Sequence, residues 1–169
     1  MSAHGRLIIV CGLPGAGKTT RAKELERELR AIRFNPDEWM ADLGIDVWDS
    51  VTRGHIEELQ WKLAQRLLAL GQTVVIEWGT WGRSERDALR EGARALGATV
   101  ELHLLDAPLD VLYDRIKRRG AESPPVTTDD LATWDGWFQR PSAEEMALFD
   151  SVNTDHSRFS RLLWPASES

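Results

Sequence analysis

The chain has 169 residues, enough for about one domain whose core needs neither disulfides nor a structural metal. Hydrophobic residues make up 42% and charged residues 28%, which argues against wholesale disorder, collagen-like repeats and a bare coiled coil. With 21 Lys and Arg against 27 Asp and Glu the formal charge is -6, so a globally basic, nonspecific nucleic-acid binder is disfavoured. Cys11, the single cysteine, cannot form an intramolecular disulfide, and no Cys/His cluster has zinc-ligand spacing. No apolar run approaches the ~20 residues that span a bilayer, and the stretch 7–11 is too short for a signal-peptide core. The expectation is a soluble, cytoplasmic protein.

Short apolar runs alternate with segments of helical period, the pattern of an α/β fold with a mostly parallel sheet. The first run is LIIVC, residues 7–11, followed by a helix whose apolar positions are Ala22, Leu25 and Leu29. The second run is AIRF, 31–34, and after it Ile56, Leu59, Leu63, Leu67 and Leu70 mark the stripe of a longer helix. The third is TVVIE, 73–77; like the first it is nearly continuous and β-branched or leucine-rich, so both are expected to be central strands. Ser84 with Asp87 resembles a capping box opening a helix to Leu96. The fourth run is VELHLLD, 100–106, with Pro108 in the first turn of a helix that carries Leu109, Leu112 and Ile116 and ends in cations before Gly120.

The polar segment after Gly120, containing Pro124 and Pro125, is expected to be irregular and exposed and reads as a lid. A short helix over 128–138 follows, then another opened by Ser142 with Glu145 as a full capping box. The last strand is expected near 149–153 or after it, and the Ser-rich end is expected to fray.

Gly12, Leu13, Pro14, Gly15, Ala16, Gly17, Lys18 and Thr19 satisfy G-x-x-x-x-G-K-[ST] between a predicted strand and a predicted helix. Glycines let consecutive backbone N–H groups turn inward around phosphates, and the helix beginning with Lys18, Thr19 and Thr20 presents the positive end of its dipole. Lys18 would reach the β and γ phosphates and Thr19 would offer its hydroxyl to Mg²⁺. Guanine recognition usually needs N-K-x-D or T-K-x-D; Asn153, Thr154 and Asp155 lack the lysine, so ATP is the expected nucleotide.

Asp37 follows the second strand, at an end that faces the same crevice as the phosphate loop. It can accept the proton of an attacking hydroxyl, or it can simply decorate a helix start. Glu77 ends the third run and is the Walker-B-like candidate, with Asp106 its competitor; the loop Trp78, Gly79, Thr80, Trp81, Gly82, Arg83 after Glu77 favours the former. Arg115, Arg118 and Arg119 precede the lid-like segment, where a cation could stabilise the transferred phosphoryl group. Of eight tryptophans, Trp39, Trp78 and Trp81 are expected beside the catalytic loops, Trp61, Trp134, Trp137 and Trp164 are assigned to packing, and Trp48 is left open. His103 is expected in the core, and His4, His55 and His156 show no catalytic pattern.

From residue 6 to 150 the sequence resembles the small bacterial P-loop kinases of the zeta-toxin, chloramphenicol-phosphotransferase and polynucleotide-kinase type, often labelled AAA-family ATPases. The anchors are LIIVCGLPGAGKTT, NPDEWM, VVIEWGTWGRSER, LLDAPLDVLYDRIKRRG and FQRPSAEEMALFD. The resemblance implies one P-loop domain over 1–169, a five-stranded doubly wound sheet in the order 2-3-1-4-5, and a lid at about 120–140. It also implies Asp37 as general base, Arg115 or Arg119 clamping the triphosphate, and Arg83 and Glu77 on the acceptor side. Polynucleotide kinases of this type tend to carry an arginine shortly after the aspartate, where this chain has Glu38, Trp39 and Met40, and commonly an Asp where Glu77 stands. The AAA label would suggest a hexameric motor, but the chain has no room for a separate helical lid domain.

The leading expectation is an ATP- and Mg²⁺-dependent kinase acting on a hydroxyl of a nucleoside, sugar, nucleotide-sugar or antibiotic, as a monomer or homodimer. Trp39, Trp78, Trp81, Arg83, Glu77 and Asp37 are the acceptor candidates. A nucleic-acid-end kinase and a regulatory or toxin-like ATPase are the alternatives.

Overall fold

The apolar runs lie side by side in the computed structural model, which describes residues 4–154. β1 (Arg6–Cys11) is flanked by β3 (Thr73–Gly79) and β4 (Thr99–Leu104), with β2 (Ile32–Phe34) and β5 (Ser151–Thr154) at the edges. The strand order is 2-3-1-4-5 and all four pairings are parallel. Leu7 pairs with Val74 on one side and Val100 on the other, and residues 7–11 are completely buried. β-branched side chains suit a strand covered on both faces, which is why the first and third runs occupy the interior of the sheet.

Parallel neighbours cannot be joined by a tight turn, so each crossover carries helix. These are α1 (Lys18–Leu29), then α2 (Pro36–Asp42) and α3 (Ser50–Ala69), then α4 (Arg83–Ala95), and finally α5 (Leu109–Arg119), α6 (Thr128–Trp137) and α7 (Ala143–Met146) between β4 and β5. The parallel arrangement sends every strand's C-terminus to one edge. The loops after β1, β2 and β3 therefore meet: Gly12 N donates to Gly79 O at 3.2 Å, and the Asn35 amide reaches the Glu77 carboxylate.

Several expectations shift in the folded chain. In α3 the buried stripe is Ile56, Gln60, Ala64 and Leu68, while Leu59, Leu63 and Leu70 are exposed. The side-chain oxygen of buried Gln60 accepts the Trp78 indole N–H at 2.8 Å, which removes the cost of burying an unpaired amide oxygen, while its Nε2 finds no partner among the described residues. α4 is capped by Gly82 with no side-chain cap, and Asp87 bonds Arg83 and Arg90 in place of closing a box with Ser84. The complete capping box belongs to α6, between Thr127 and Asp130. Ser142 does accept from Glu145 N at 3.2 Å, but the Glu145 carboxylate turns to Arg86, so only half of that box forms.

Pro108 stands one residue before α5 as its N-cap. The segment 120–127 is irregular as expected, yet its Val126 is buried in the main core cluster and ties the segment down. Trp137 is exposed and does not pack, whereas Trp61 is half-buried against the core. Trp164, His156 and the Ser-rich end lie outside the described residues.

Candidate active site

The phosphate loop is shaped by backbone that runs against it. A Cβ on Gly15 (φ +80°) would lie 2.7 Å from Leu112 O of α5, and one on Gly12 would lie 2.4 Å from Leu105 O. Any other residue at either position would force the loop away from β4 and α5. Lys18, the first residue of α1, donates from Nζ to Leu13 O at 2.8 Å, bridging the loop. Burial pulls its ammonium down to about 8, an effect that nearby Cys11, Glu77 and Asp37 only partly oppose.

Thr19 Oγ1 donates to Glu77 Oε1 at 3.0 Å, so the carboxylate at the end of the third apolar run stands directly beside the loop. Glu77 also accepts from Asn35, and Arg33 Nη1 of β2 lies 3.4 Å from its Oε2. Oε2 itself makes no hydrogen bond among the described residues, and burial pushes the carboxyl above its ordinary value. Its competitor Asp106 pairs with Arg140 at 2.7 Å and so has its charge satisfied elsewhere. Among the described residues no group of three His, Cys, Asp or Glu could hold a metal alone. A hydroxyl and a half-satisfied carboxylate fit Mg²⁺, which keeps most of its shell as water and substrate phosphate.

Asp37 sits in the first turn of α2, but the cap is Asn35, whose side chain accepts from Glu38 N at 3.2 Å. The aspartate is thus spared for other use; its carboxylate lines the cleft and pairs with Arg53 from α3. Arg53 also donates from Nε to Glu57 at 3.1 Å. NPDEWM has no arginine of its own, and the guanidinium beside Asp37 comes from another helix, a relation that spacing along the chain could not reveal. Arg33 carried a weak signal as the one charged residue of the run 31–34.

The cleft has a volume of about 790 Å³ and is bounded on one side by the phosphate loop and by Arg115 and Arg119 of α5. Arg115 Nη1 donates to Gly15 O at 3.2 Å, while Arg119 pairs with Glu122 at the start of the irregular segment. On the other side stand Trp78, Trp81, Trp48 and Trp134. Trp81 and Trp134 have ring centroids 6.0 Å apart, and Trp134 and Trp48 6.2 Å, a continuous aromatic wall. The Trp81 indole N–H donates to Gly12 O at 3.2 Å and links that wall to the phosphate loop.

Two acceptor candidates turn elsewhere. The ring of Trp39 packs edge-on against Phe34 at 6.1 Å, and the Arg83 side chain goes to Asp87 at 3.2 Å and Glu145 at 3.8 Å. Trp134, which packs against the core as expected, also lines the cleft, as does Trp48. The sequence reading also missed Arg86, which is fully buried and donates to Thr80 O at 2.7 Å, Gln139 O at 2.6 Å and Glu145 Oε1 at 2.6 Å. It fixes the turn that carries Trp81. His103 is buried as expected and accepts from Arg21 Nε at 3.3 Å.

Residues 7–141 match the family described as an AAA domain. The chain belongs to this family of P-loop kinases. An adenylate kinase from Deinococcus deserti is 30% identical to it over 143 residues, covering 75% of this chain and 73% of that protein. A crystal structure from Chloroflexus aurantiacus, provisionally described as a kinase, is 25% identical, covers 89% of this kinase and 86% of its own chain, and superposes with a TM-score of 0.66. A gluconokinase from Sinorhizobium meliloti shares the fold at 20% identity, with 91% and 83% coverage and a TM-score of 0.58. Family membership carries nucleotide binding at the phosphate loop. No helix among the described residues of this kinase is long and apolar enough to cross a membrane.

Proposed function

We propose that this kinase transfers the γ-phosphate of ATP to a hydroxyl group of a small molecule, with Asp37 as the general base. The observation that carries the reading is the position of Asp37: released from capping by Asn35, it opens onto the same cleft as Lys18 and Thr19. The loop amides of residues 12–17 and the Lys18 ammonium hold the triphosphate, and Arg115 and Arg119 add positive charge from α5 as negative charge spreads over the transferred group. Thr19 and Glu77 are the residues that would hold Mg²⁺, which neutralises phosphate charge when bound. Asp37 takes the hydroxyl proton as the acceptor oxygen bonds to the γ-phosphorus and the bond from that phosphorus to the ADP oxygen breaks. Arg53 pairs with the Asp37 carboxylate at the cleft and so holds its position.

The test is Mg²⁺-dependent ADP formation from ATP with and without hydroxyl acceptors, using wild type and Lys18→Ala. ADP formation that rises with an acceptor and disappears in the variant is the expected result. Formation indifferent to every acceptor would instead indicate a regulatory ATPase.

A further inference from the structure

The half of the cleft beyond the phosphate loop combines two features that point to one acceptor chemistry. The first is the indole wall of Trp48, Trp134 and Trp81. Indole faces are electron-rich and hold cations or the C–H faces of sugars. The second is charge. Asp37 and Glu85 line this half and Glu57 stands behind it, against a single guanidinium, Arg53, that is already shared between Asp37 and Glu57. Glu85 makes no ion pair among the described residues, although it projects from the first turn of α4 into the cleft lining.

The remaining cations on the cleft, Lys18, Arg115 and Arg119, belong to the phosphate side. An anionic acceptor would therefore meet three carboxylates facing one guanidinium, with Glu85 outside its ion pairs. A third observation concerns Thr80 in the same wall: it is 2% exposed, has a left-handed φ of 49°, and its hydroxyl finds no hydrogen-bond partner among the described residues. A β-branched residue in that conformation is strained, and Arg86 holds it there through the Thr80 carbonyl, so the wall is rigidly preset.

We infer that the acceptor is a hydroxylated small molecule carrying a protonated amine, of the amino-sugar type, with its ammonium between Glu85 and the tryptophan wall and its hydroxyl at Asp37. The inference rests on the kinase reading above. Burial pushes the Glu57 carboxyl up to about 7 against the pull of its partner Arg53, and that of Glu85 above its ordinary value against the Gly82 amide, Arg86 and Arg53. A bound ammonium would give Glu85 the direct ion pair that it does not make among the described residues.

The experiment uses the full chain with ATP and Mg²⁺ and reads phosphorylated product by mass spectrometry. Glucosamine and kanamycin provide amines, glucose and sucrose are neutral, and gluconate and adenylate are anionic. The expected result is a kcat/KM for an amine-bearing member about tenfold or more above the neutral and anionic ones. Glu85→Gln should narrow the ratio of glucosamine to glucose; because the ratio is read within one variant, a general loss of folding does not mimic it. Equal or better transfer to the neutral or anionic members overturns the amine assignment and leaves the kinase reading standing, as does a ratio unchanged in Glu85→Gln. Transfer to no member overturns both.

Discussion

Lys18 and Glu57 are held away from their ordinary protonation by burial, and each makes a consequence measurable. The Lys18 ammonium, brought down to about 8, must be protonated to hold phosphate, so the nucleotide draws a proton as it binds at alkaline pH. Affinity for ATP should be flat below pH 8 and fall by up to about tenfold per pH unit above it. Calorimetry in buffers of different ionisation enthalpy would register the proton uptake; its absence at pH 8.5 would contradict the assignment. Glu57 carries the opposite sign. Its carboxyl is raised to about 7, so between roughly pH 4.5 and 7 the folded chain keeps a proton that the unfolded chain has lost, and stability falls as pH rises through that window. Glu57→Gln should remove the slope and stabilise the protein at pH 8 by roughly 1–3 kcal/mol, read from urea unfolding at both ends of the range. Neither effect is legible in the sequence, because each depends on how its helix start or face, α1 for Lys18 and α3 for Glu57, is covered by its neighbours.

At the scale of elements, one buried ion pair joins pieces far apart in the chain. Arg86 of α4 and Glu145 of α7 pair at 2.6 Å, and the same guanidinium ties down the carbonyls of Thr80, Trp81 and Gln139. Arg86→Met would leave Glu145 charged and buried with only the more distant Arg83 at 3.8 Å, at a cost of about 3–5 kcal/mol, and would release the turn bearing Trp81. A melting temperature within two degrees of wild type would contradict that role. The sequence carried the sheet well, since β1 and β3 are continuous apolar blocks and the phosphate loop announces itself through local spacing. It carried α3 poorly: leucines at 59, 63 and 70 look like a stripe, yet the inward face contains Gln60 and Ala64, chosen by the Trp78 indole and by close packing. Trp39 and Trp134 both pack against the core, but only Trp134 also lines the cleft. Closeness along the chain to the loop after β2 suggested Trp39, whereas Trp134 reaches the cleft on a helix nearly a hundred residues later.

For the molecule as a whole, the parallel sheet gathers Lys18 and Thr19 of α1, Asp37 of α2 and Glu77 of β3 at one edge, and α5 adds Arg115 and Arg119 to the cleft. Thr19 and Glu77 meet through a direct hydrogen bond, and Asp37 is oriented by an arginine from α3. The acidic balance of the far half of the cleft follows the balance of the chain, whose formal charge is -6. It is unlike the positive surface that a nucleic-acid end would require. The proposed transfer requires Asp37 to act as base and not as a helix decoration. The most direct measurement is single-turnover transfer of radiolabelled γ-phosphate from ATP to an accepted hydroxyl compound by wild type and by Asp37→Asn, with ATP affinity measured alongside. The account predicts unchanged affinity and a transfer rate lowered by about 10²–10⁴-fold; transfer at the wild-type rate in the variant would contradict it.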